Sequence, residues 1–295
     1  MPVDQIRLKI AMSDRLVLYQ DDEASTMVWD IENDRSLGVL EYHSYGVLNV
    51  AMNCTESTAV SIGADSPEME VMIWSLDTMQ CTANLTSTDF TTCLLKDRLL
   101  LGSSDGPIKM WDIGGSAPMA LMDLLGHRET VSSITAMDTS NTALSGSIRS
   151  GIVRMWDLRT GNCVRIMEGH TDRVYSVSMD SAGQTAVSGS RDMTAKIWDL
   201  GTGRYLGTHQ FDDVVHDVVM HESGGSFLVA YGHGYFSAHS SARGYDDPIL
   251  NADLSSLCDP ESESYPHLAA SRNLSRVGMC NMSVQELGLE VSVWI

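Results

Sequence analysis

The chain has 295 residues, 43% of them hydrophobic and 20% charged, a balance that belongs to a globular protein able to bury a core and not to a disordered or fibrous one. Its 39 acidic residues against 19 basic leave a net charge of -20. That disfavours a general nucleic-acid binder, whose affinity rests on a basic surface that neutralises phosphates, and it disfavours electrostatic attachment to anionic membranes.

The first twenty residues, MPVDQIRLKIAMSDRLVLYQ, are interrupted by Asp4, Arg7, Lys9, Asp14 and Arg15, so they hold no apolar signal-peptide core. No uncharged apolar run approaches the roughly 20 residues needed to cross a bilayer. The six cysteines (Cys54, Cys81, Cys93, Cys163, Cys258 and Cys280) are scattered and form no C-x-x-C pair, which argues against a disulfide framework or a zinc site and for thiols in a reducing compartment. An intracellular protein, cytoplasmic or nuclear, is expected.

Tryptophan marks a repeat along the chain. Trp29, Trp74, Trp111, Trp156 and Trp198 follow one another at intervals of 45, 37, 45 and 42 residues, and four of the five precede an aspartate (Asp30, Asp112, Asp157, Asp199). Each closes a short alternating segment such as IKMWD, VRMWD or KIWD. Period two with aromatic and β-branched residues predicts strands, and turn signals such as Ser-Asp-Gly at 104–106 and Thr-Gly at 160–161 and 202–203 separate them. No stretch offers a long amphipathic helix. The clearest unit, from Gly169 to about 210, predicts strands at 174–179, 185–190, 194–198 and 204–208.

Gly-His ahead of the first strand and Trp-Asp at the end of the third, recurring at this period, resemble the WD-repeat (WD40) β-propeller family. The resemblance is strongest over the units that hold Gly126-His127 with Trp156-Asp157 and Gly169-His170 with Trp198-Asp199. In the second unit Tyr42-His43 replaces Gly-His, and the third has no such histidine. Past Trp198, aligning GHGYFSAH with RDMTAKIW puts His239 at the tryptophan position. Aligning 267–281 with 186–200 puts Met279 there, with ELGLEVSVWI as a last outer strand. The expected fold is therefore all-β: a seven-bladed WD40 propeller with four antiparallel strands per blade and a single domain over 1–295. Its blades fall at about 4–43, 44–88, 89–127, 128–170, 171–209, 210–252 and 253–295. Each blade lies within its own repeat, so closure of the ring would rest on side-chain packing between the first and last blades.

His170, Ser188 and Asp192 have the residue types of a hydrolytic triad. The family resemblance gives them another role, with Trp198: a buried hydrogen-bond chain tying the loop before the first strand to the third. No G-x-S-x-G elbow supports a nucleophile. His127, Ser145 and Trp156 repeat the pattern in the fourth unit, whose turn, Ile148-Arg149-Ser150, has no aspartate. His216, His221, His233 and His239 cluster in the sixth unit without a compact metal-ligand spacing. No catalytic residue, metal or cofactor is expected.

Charge is uneven. Residues 120–200 hold eight basic and nine acidic residues, residues 1–119 seven and eighteen, and residues 205–295 three and twelve. In the balanced stretch Arg149 and Arg191 occupy the turn between second and third strands, and Arg272 holds the matching place further on. With Tyr175, these arginines resemble the anion-reading rim of F-box-type WD-repeat substrate receptors, which implies capture of an acidic or phosphorylated segment through the planar guanidinium fork. No F-box precedes the first repeat, so a ligase role would need a partner or a further segment. The main expectation is a non-catalytic scaffold or adaptor that binds proteins or peptides on its loop faces. The alternative is a reader of basic, histone-like segments through the acidic blades and the acidic run at 245–266; a propeller hydrolase or metalloenzyme is the remote one.

Overall fold

In this computed structural model the described residues are 10–13, 15–20, 25–40, 43, 47–53, 55, 57–63, 69–87, 89–240, 250–253, 267–270 and 277–280. They form antiparallel sheets whose strands follow one another in chain order from the inside of a ring to its outside. The first sheet is β1 (Ile10–Met12), β2 (Leu16–Gln20), β3 (Thr26–Asp30) and β4 (Arg35–Leu40). The second is β5 (Val47–Met52), β6 (Thr58–Gly63), β7 (Met69–Ser75) and β8 (Gln80–Ser87). The third holds β9 (Asp89–Leu94), β10 (Arg98–Ser103), β11 (Ile108–Asp112) and β12 (Met119–Leu124). The fourth holds β13 (Val131–Met137), β14 (Thr142–Ser147), β15 (Val153–Asp157) and β16 (Asn162–Met167). In the fifth are β17 (Val174–Met179), β18 (Thr185–Ser190), β19 (Thr194–Asp199) and β20 (Arg204–Gln210). The sixth has β21 (Val215–Met220), β22 (Ser226–Tyr231), β23 (Tyr235–Ser240) and β24 (Leu250–Asp253).

The expectation of seven four-stranded blades is corrected here: the described residues build a propeller of six four-stranded blades. After β24 come only β25 (His267–Ala270) and β26 (Val277–Cys280), which pair with each other as a two-stranded ladder. This ladder lies in the gap between β21 of the sixth sheet and β1 of the first. The segment expected to supply its outer strand, ELGLEVSVWI, falls outside the described residues, as does Arg272. The physical reason is visible in the repeat itself. The last unit has Met279 where five other units place tryptophan and no Gly-His, and, unlike the sixth unit with His239 against Phe227, it has no ring in the place of the indole.

Alternating side chains explain why the sheets stack. Each strand has two faces, and both must be covered. Five buried clusters lie between successive sheets: one joins Leu18 and Val28 to Val50 and Trp74, and another Leu100, Ile108 and Leu124 to Val131 and Trp156. A further cluster joins Leu144, Val153 and Met167 to Val177 and Trp198. The core is thus radial, one layer per blade interface. Innermost strands are cross-linked by hydroxyls as well. Ser132 Oγ donates to Val174 O at 2.5 Å, Val177 N donates to Ser133 Oγ at 3.2 Å and Met220 N donates to Ser178 Oγ at 2.9 Å. These strands surround a polar central cavity of about 230 Å³, to which the six of them bring Ile10, Asn49, Thr91, Ser132, Ser176 and Asp217.

The Trp-Asp pair has a local cause. In all five sheets that carry the tryptophan, the ladder between third and fourth strands shifts register immediately before it, at Trp29, Trp74, Trp111, Trp156 and Trp198. A bulge there re-aims the indole into the blade. The aspartate that follows closes the turn to the fourth strand by accepting backbone N–H bonds. Asp30 accepts from Glu32 and Asn33 at 3.1 Å, Asp157 from Arg159 at 2.9 Å and Asp199 from Thr202 at 2.9 Å. Asn33, bonding first through its side chain, holds Asp30 down to about 2. The last turn residue is left-handed (φ 72° at Gly161 and 76° at Gly203), the conformation glycine adopts without steric cost.

Candidate functional site

In the fifth blade Trp198 Nε1 donates to Ser188 Oγ at 2.8 Å, and that hydroxyl lies 2.7 Å from His170 Nε2. His170 Nδ1 lies 2.9 Å from Asp192 Oδ2, which also accepts Thr171 N at 3.0 Å. One proton arrangement satisfies every member: indole to hydroxyl, hydroxyl to Nε2, and Nδ1–H to the carboxylate. Burial alone would raise the Asp192 carboxyl, but the bonds from His170 and Thr194 outweigh it and hold the group well below the usual carboxylate range. The residue types and spacings are those of a hydrolytic triad, yet Ser188 and the His170 side chain have no exposure. The serine oxygen is already occupied by an indole N–H. No substrate atom can reach it, so this arrangement ties the blade together and does no chemistry.

The other blades vary this chain. The fourth keeps His127 Nε2 to Ser145 Oγ at 2.7 Å and Trp156 Nε1 to Ser145 Oγ at 2.8 Å, with no carboxylate behind the imidazole. Burial, and then the nearby Arg154, push His127 down to about 4. The second has His43, Ser61 and Trp74 at 2.8 and 2.9 Å. In the third, Leu101 occupies the ladder position that Ser188 holds in the fifth, and the buried Trp111 Nε1 has no hydrogen-bond partner. There β8 ends at Ser87 and β9 begins at Asp89, leaving no room for a histidine loop. Asp89, fully buried, takes a bond from Ser87 and an ion pair with Lys109 at 3.2 Å. In the sixth blade aromatic packing replaces the polar chain: His239 stacks on Phe227 and meets Phe211 edge-on, with centroids 5.1 and 5.8 Å apart.

The turns and loops that these chains anchor share one face. Arg191 N donates to Arg173 O at 2.8 Å, and Ile148 N to Thr130 O at 3.1 Å. Each turn between second and third strands is therefore pinned to the loop ahead of the first. Neighbouring blades also touch there. A side chain at Gly151, where φ is +64°, would meet the carbonyl oxygens of His170 and Asp172 at 2.6 and 3.0 Å. The turn carrying Arg149 thus abuts the loop carrying Arg173, which is bonded to the turn carrying Arg191. Arg128, Arg149, Arg173 and Arg191 are all exposed. Among the described residues only Arg191 of these four forms an ion pair, with Asp172 at 3.9 Å, and both partners are about half-exposed, a pairing worth little in water.

Arg128 and Arg173 escaped the sequence reading. The signal for them was present, one residue after His127 and three after His170, but loops cannot be brought together without the fold. Tyr175 is half-buried and stacks on His216 with centroids 5.9 Å apart, so one ring face serves the contact between fifth and sixth blades. The sixth-unit histidines disperse: His221 bonds Ser223 at 2.7 Å, and His239 bonds Ser237 at 2.9 Å. Among the described residues no three His, Cys, Asp or Glu side chains converge as metal ligands. Most of the acidic run at 245–266 falls outside the described residues.

Comparison with known proteins agrees with this geometry. The family model for the WD domain, G-beta repeat, matches residues 120–157 and 161–199. The chain is 36% identical over 115 residues to the nuclear distribution protein PAC1 of Komagataella phaffii, covering 38% of this chain and 23% of that protein. It is 29% identical over 188 residues to mitochondrial division protein 1 of Saccharomyces cerevisiae, covering 50% of this chain and 26% of the relative. Cell division control protein 4 of Candida albicans matches at 40% over 87 residues, 29% of this chain and 12% of the relative. The chain thus spans about a quarter or less of the length of these relatives. No helix among the described residues is long and apolar enough to cross a membrane.

Proposed function

We propose that this propeller with WD40 repeats is a protein-interaction scaffold, and that the loop face of its fourth and fifth blades holds an acidic or phosphorylated segment of its partner. The observation that carries the reading is the band formed by the Arg149 turn, the Arg173 loop and the Arg191 turn, with Arg128 alongside. These are exposed guanidinium groups on adjoining, hydrogen-bonded backbone in a chain of net charge -20. Each fork can give two parallel N–H bonds to a carboxylate or phosphate. Because the turns are already held by the Trp-Ser-His chains beneath them, little ordering cost accompanies binding. WD repeats in relatives whose names concern nuclear distribution and cell division support an adaptor role over catalysis.

The test is capture from lysate divided into untreated and phosphatase-treated halves, using the chain and a variant with Arg149, Arg173 and Arg191 changed to Ala whose melting temperature matches the parent. Partners that disappear both on phosphatase treatment and with the variant are expected. Partners retained by the variant would refute the arginine band and direct attention to the acidic blades and to basic ligands.

A further inference from the structure

The outer rim carries a second feature, away from the loop face. Among the described residues the fourth strand of each blade is the last in its sheet, so its outward backbone N–H and C=O groups have no ladder partner there. Natural sheets protect such edges with polar or charged side chains. Register allows the same two outward positions to be compared: the residue paired with the third-strand residue two before tryptophan, and the residue two before that. They are Thr82 and Asn84 in β8, Leu121 and Asp123 in β12, and Leu206 and Thr208 in β20. In β4 they are Leu37 and Val39, both half-buried. In β16 they are Val164 and Ile166, 50% and 51% exposed. Among the five blades whose fourth-strand side chains are described, only β16 is apolar and exposed at both of these positions; β12 exposes Met119 and Leu121, but the carboxylate of Asp123 follows them along the edge. Leu125, 68% exposed, lies on the adjoining connection beside Gly126, where a side chain would meet Arg154 at 3.4 Å.

The charge around this edge is opposite to that of the chain. Residues 154–165 contain Arg154, Arg159 and Arg165 against the single carboxylate Asp157, within a molecule of net charge -20; Glu168 follows beyond the strand end. Arg154 is paired with Ile166 in the ladder and so shares its face. Arg159 is 72% exposed even with Asp157 at 3.4 Å. Screening confines electrostatics to about 8 Å at physiological ionic strength, so these arginines, and not the distant acidic blades, set the local preference. A second copy of the chain pairing through the same edge would bring arginine against arginine in a two-fold arrangement.

We infer that the free edge of β16 is a docking strand that takes an extended, acidic segment of a partner protein as a fifth strand of the fourth blade. The partner backbone pairs with the outward N–H and C=O groups. Its alternate apolar side chains cover Val164 and Ile166, and its carboxylates meet Arg154 and Arg159, whereas Arg165, on the other face of the strand, bonds the carbonyls of Gly201 and Thr202.

The probe is a random twelve-residue peptide library displayed on phage, selected on the whole chain and on the Ile166→Lys variant, with Thr208→Lys, the matching position of β20, as control. Both positions are on exposed edges, and equal melting temperatures verify the variants. Enriched peptides should alternate apolar residues with an excess of Asp and Glu and slow amide exchange in β16. Their affinity should fall about tenfold or more with Ile166→Lys or Arg159→Glu and hold with Thr208→Lys. Binding should be indifferent to the Arg149, Arg173, Arg191 variant, which separates this edge from the loop face. No enrichment, equal binding to Ile166→Lys, or enriched peptides without acidic excess would overturn the inference. So would a dimer in sedimentation that Ile166→Lys dissociates, since the occupant would then be a second copy.

Discussion

Two histidines at equivalent places in adjacent blades differ in one partner, and replacing each by alanine isolates it. His170→Ala removes a neutral bond to Ser188, about 1 kcal/mol, and a bond to the ionised Asp192, about 1.5–3 kcal/mol. His127→Ala removes only the neutral bond to Ser145. Both leave a similar void beneath their loops, roughly 2 kcal/mol in each case, which cancels in the comparison. His170→Ala should therefore destabilise the chain by about 2 kcal/mol more than His127→Ala, or roughly 3 °C in melting temperature for 295 residues. The measurement is calorimetric melting of the two variants and the parent at one pH, 7.5. Equal melting temperatures for the two variants would refute the reasoning. It would mean that the carboxylate behind His170 contributes nothing and that the void alone sets the cost.

Further outcomes follow from the buried groups. His127 is pushed down to about 4 from an ordinary 6.5, so the unfolded chain binds the extra proton first as pH falls. The associated stability is complete above about pH 6.5 and is lost on the way down towards 4. Wild type should lose about 2 kcal/mol between pH 7 and 5 that His127→Gln does not lose, read as urea midpoints at the two pH values; parallel slopes would contradict it. Trp111 Nε1 is buried without an acceptor, and Leu101 fills the position from which a serine bonds the indole in other blades. Leu101→Ser should therefore be less destabilising than Leu101→Ala, by about 1 kcal/mol, the reverse of the usual order in an apolar core. A larger loss with serine would show that the hydroxyl cannot reach the indole.

The features legible beforehand are those written into single repeats. Tryptophan spacing and alternation placed the strands, and in the fifth blade the strands predicted at 174–179 and 185–190 coincide with β17 and β18. His239 falls opposite Phe227 as Trp198 falls opposite Ala186, so a tryptophan position survives without its tryptophan. What repeats cannot encode is how one of them meets the next. The stacking of Tyr175 on His216 joins two blades, and the arginine band depends on the Arg149 turn abutting the loop of the following blade. Neither has a signature within one unit. The last unit differs for the opposite reason: length divided by period suggests a seventh blade, but Met279 stands at the tryptophan position and the unit holds no Gly-His pair. The described residues there reach only the β25–β26 ladder.

The distribution of polar chains also bears on where a partner is held. Blades two, four and five keep a histidine, a serine and a tryptophan bonded in series. The third blade has an orphaned indole and a shortened connection, and the sixth has an aromatic cluster in their place. Buried polar chains that satisfy every member specify one arrangement of their loops, whereas the aromatic cluster makes no hydrogen bond to the loop above it through its phenyl rings. The arginines of the loop face hang from the fourth and fifth blades, where the bonds are directional. Asp192, held by His170 and Thr194, is the residue next to Arg191, and Thr171, bonded to the same carboxylate, is two residues from Arg173. The bonds that stabilise the fifth blade therefore also fix the backbone from which Arg173 and Arg191 extend. If the proposed arginine band holds a ligand, a substitution at His170 would change affinity through that backbone, with no contact to the ligand.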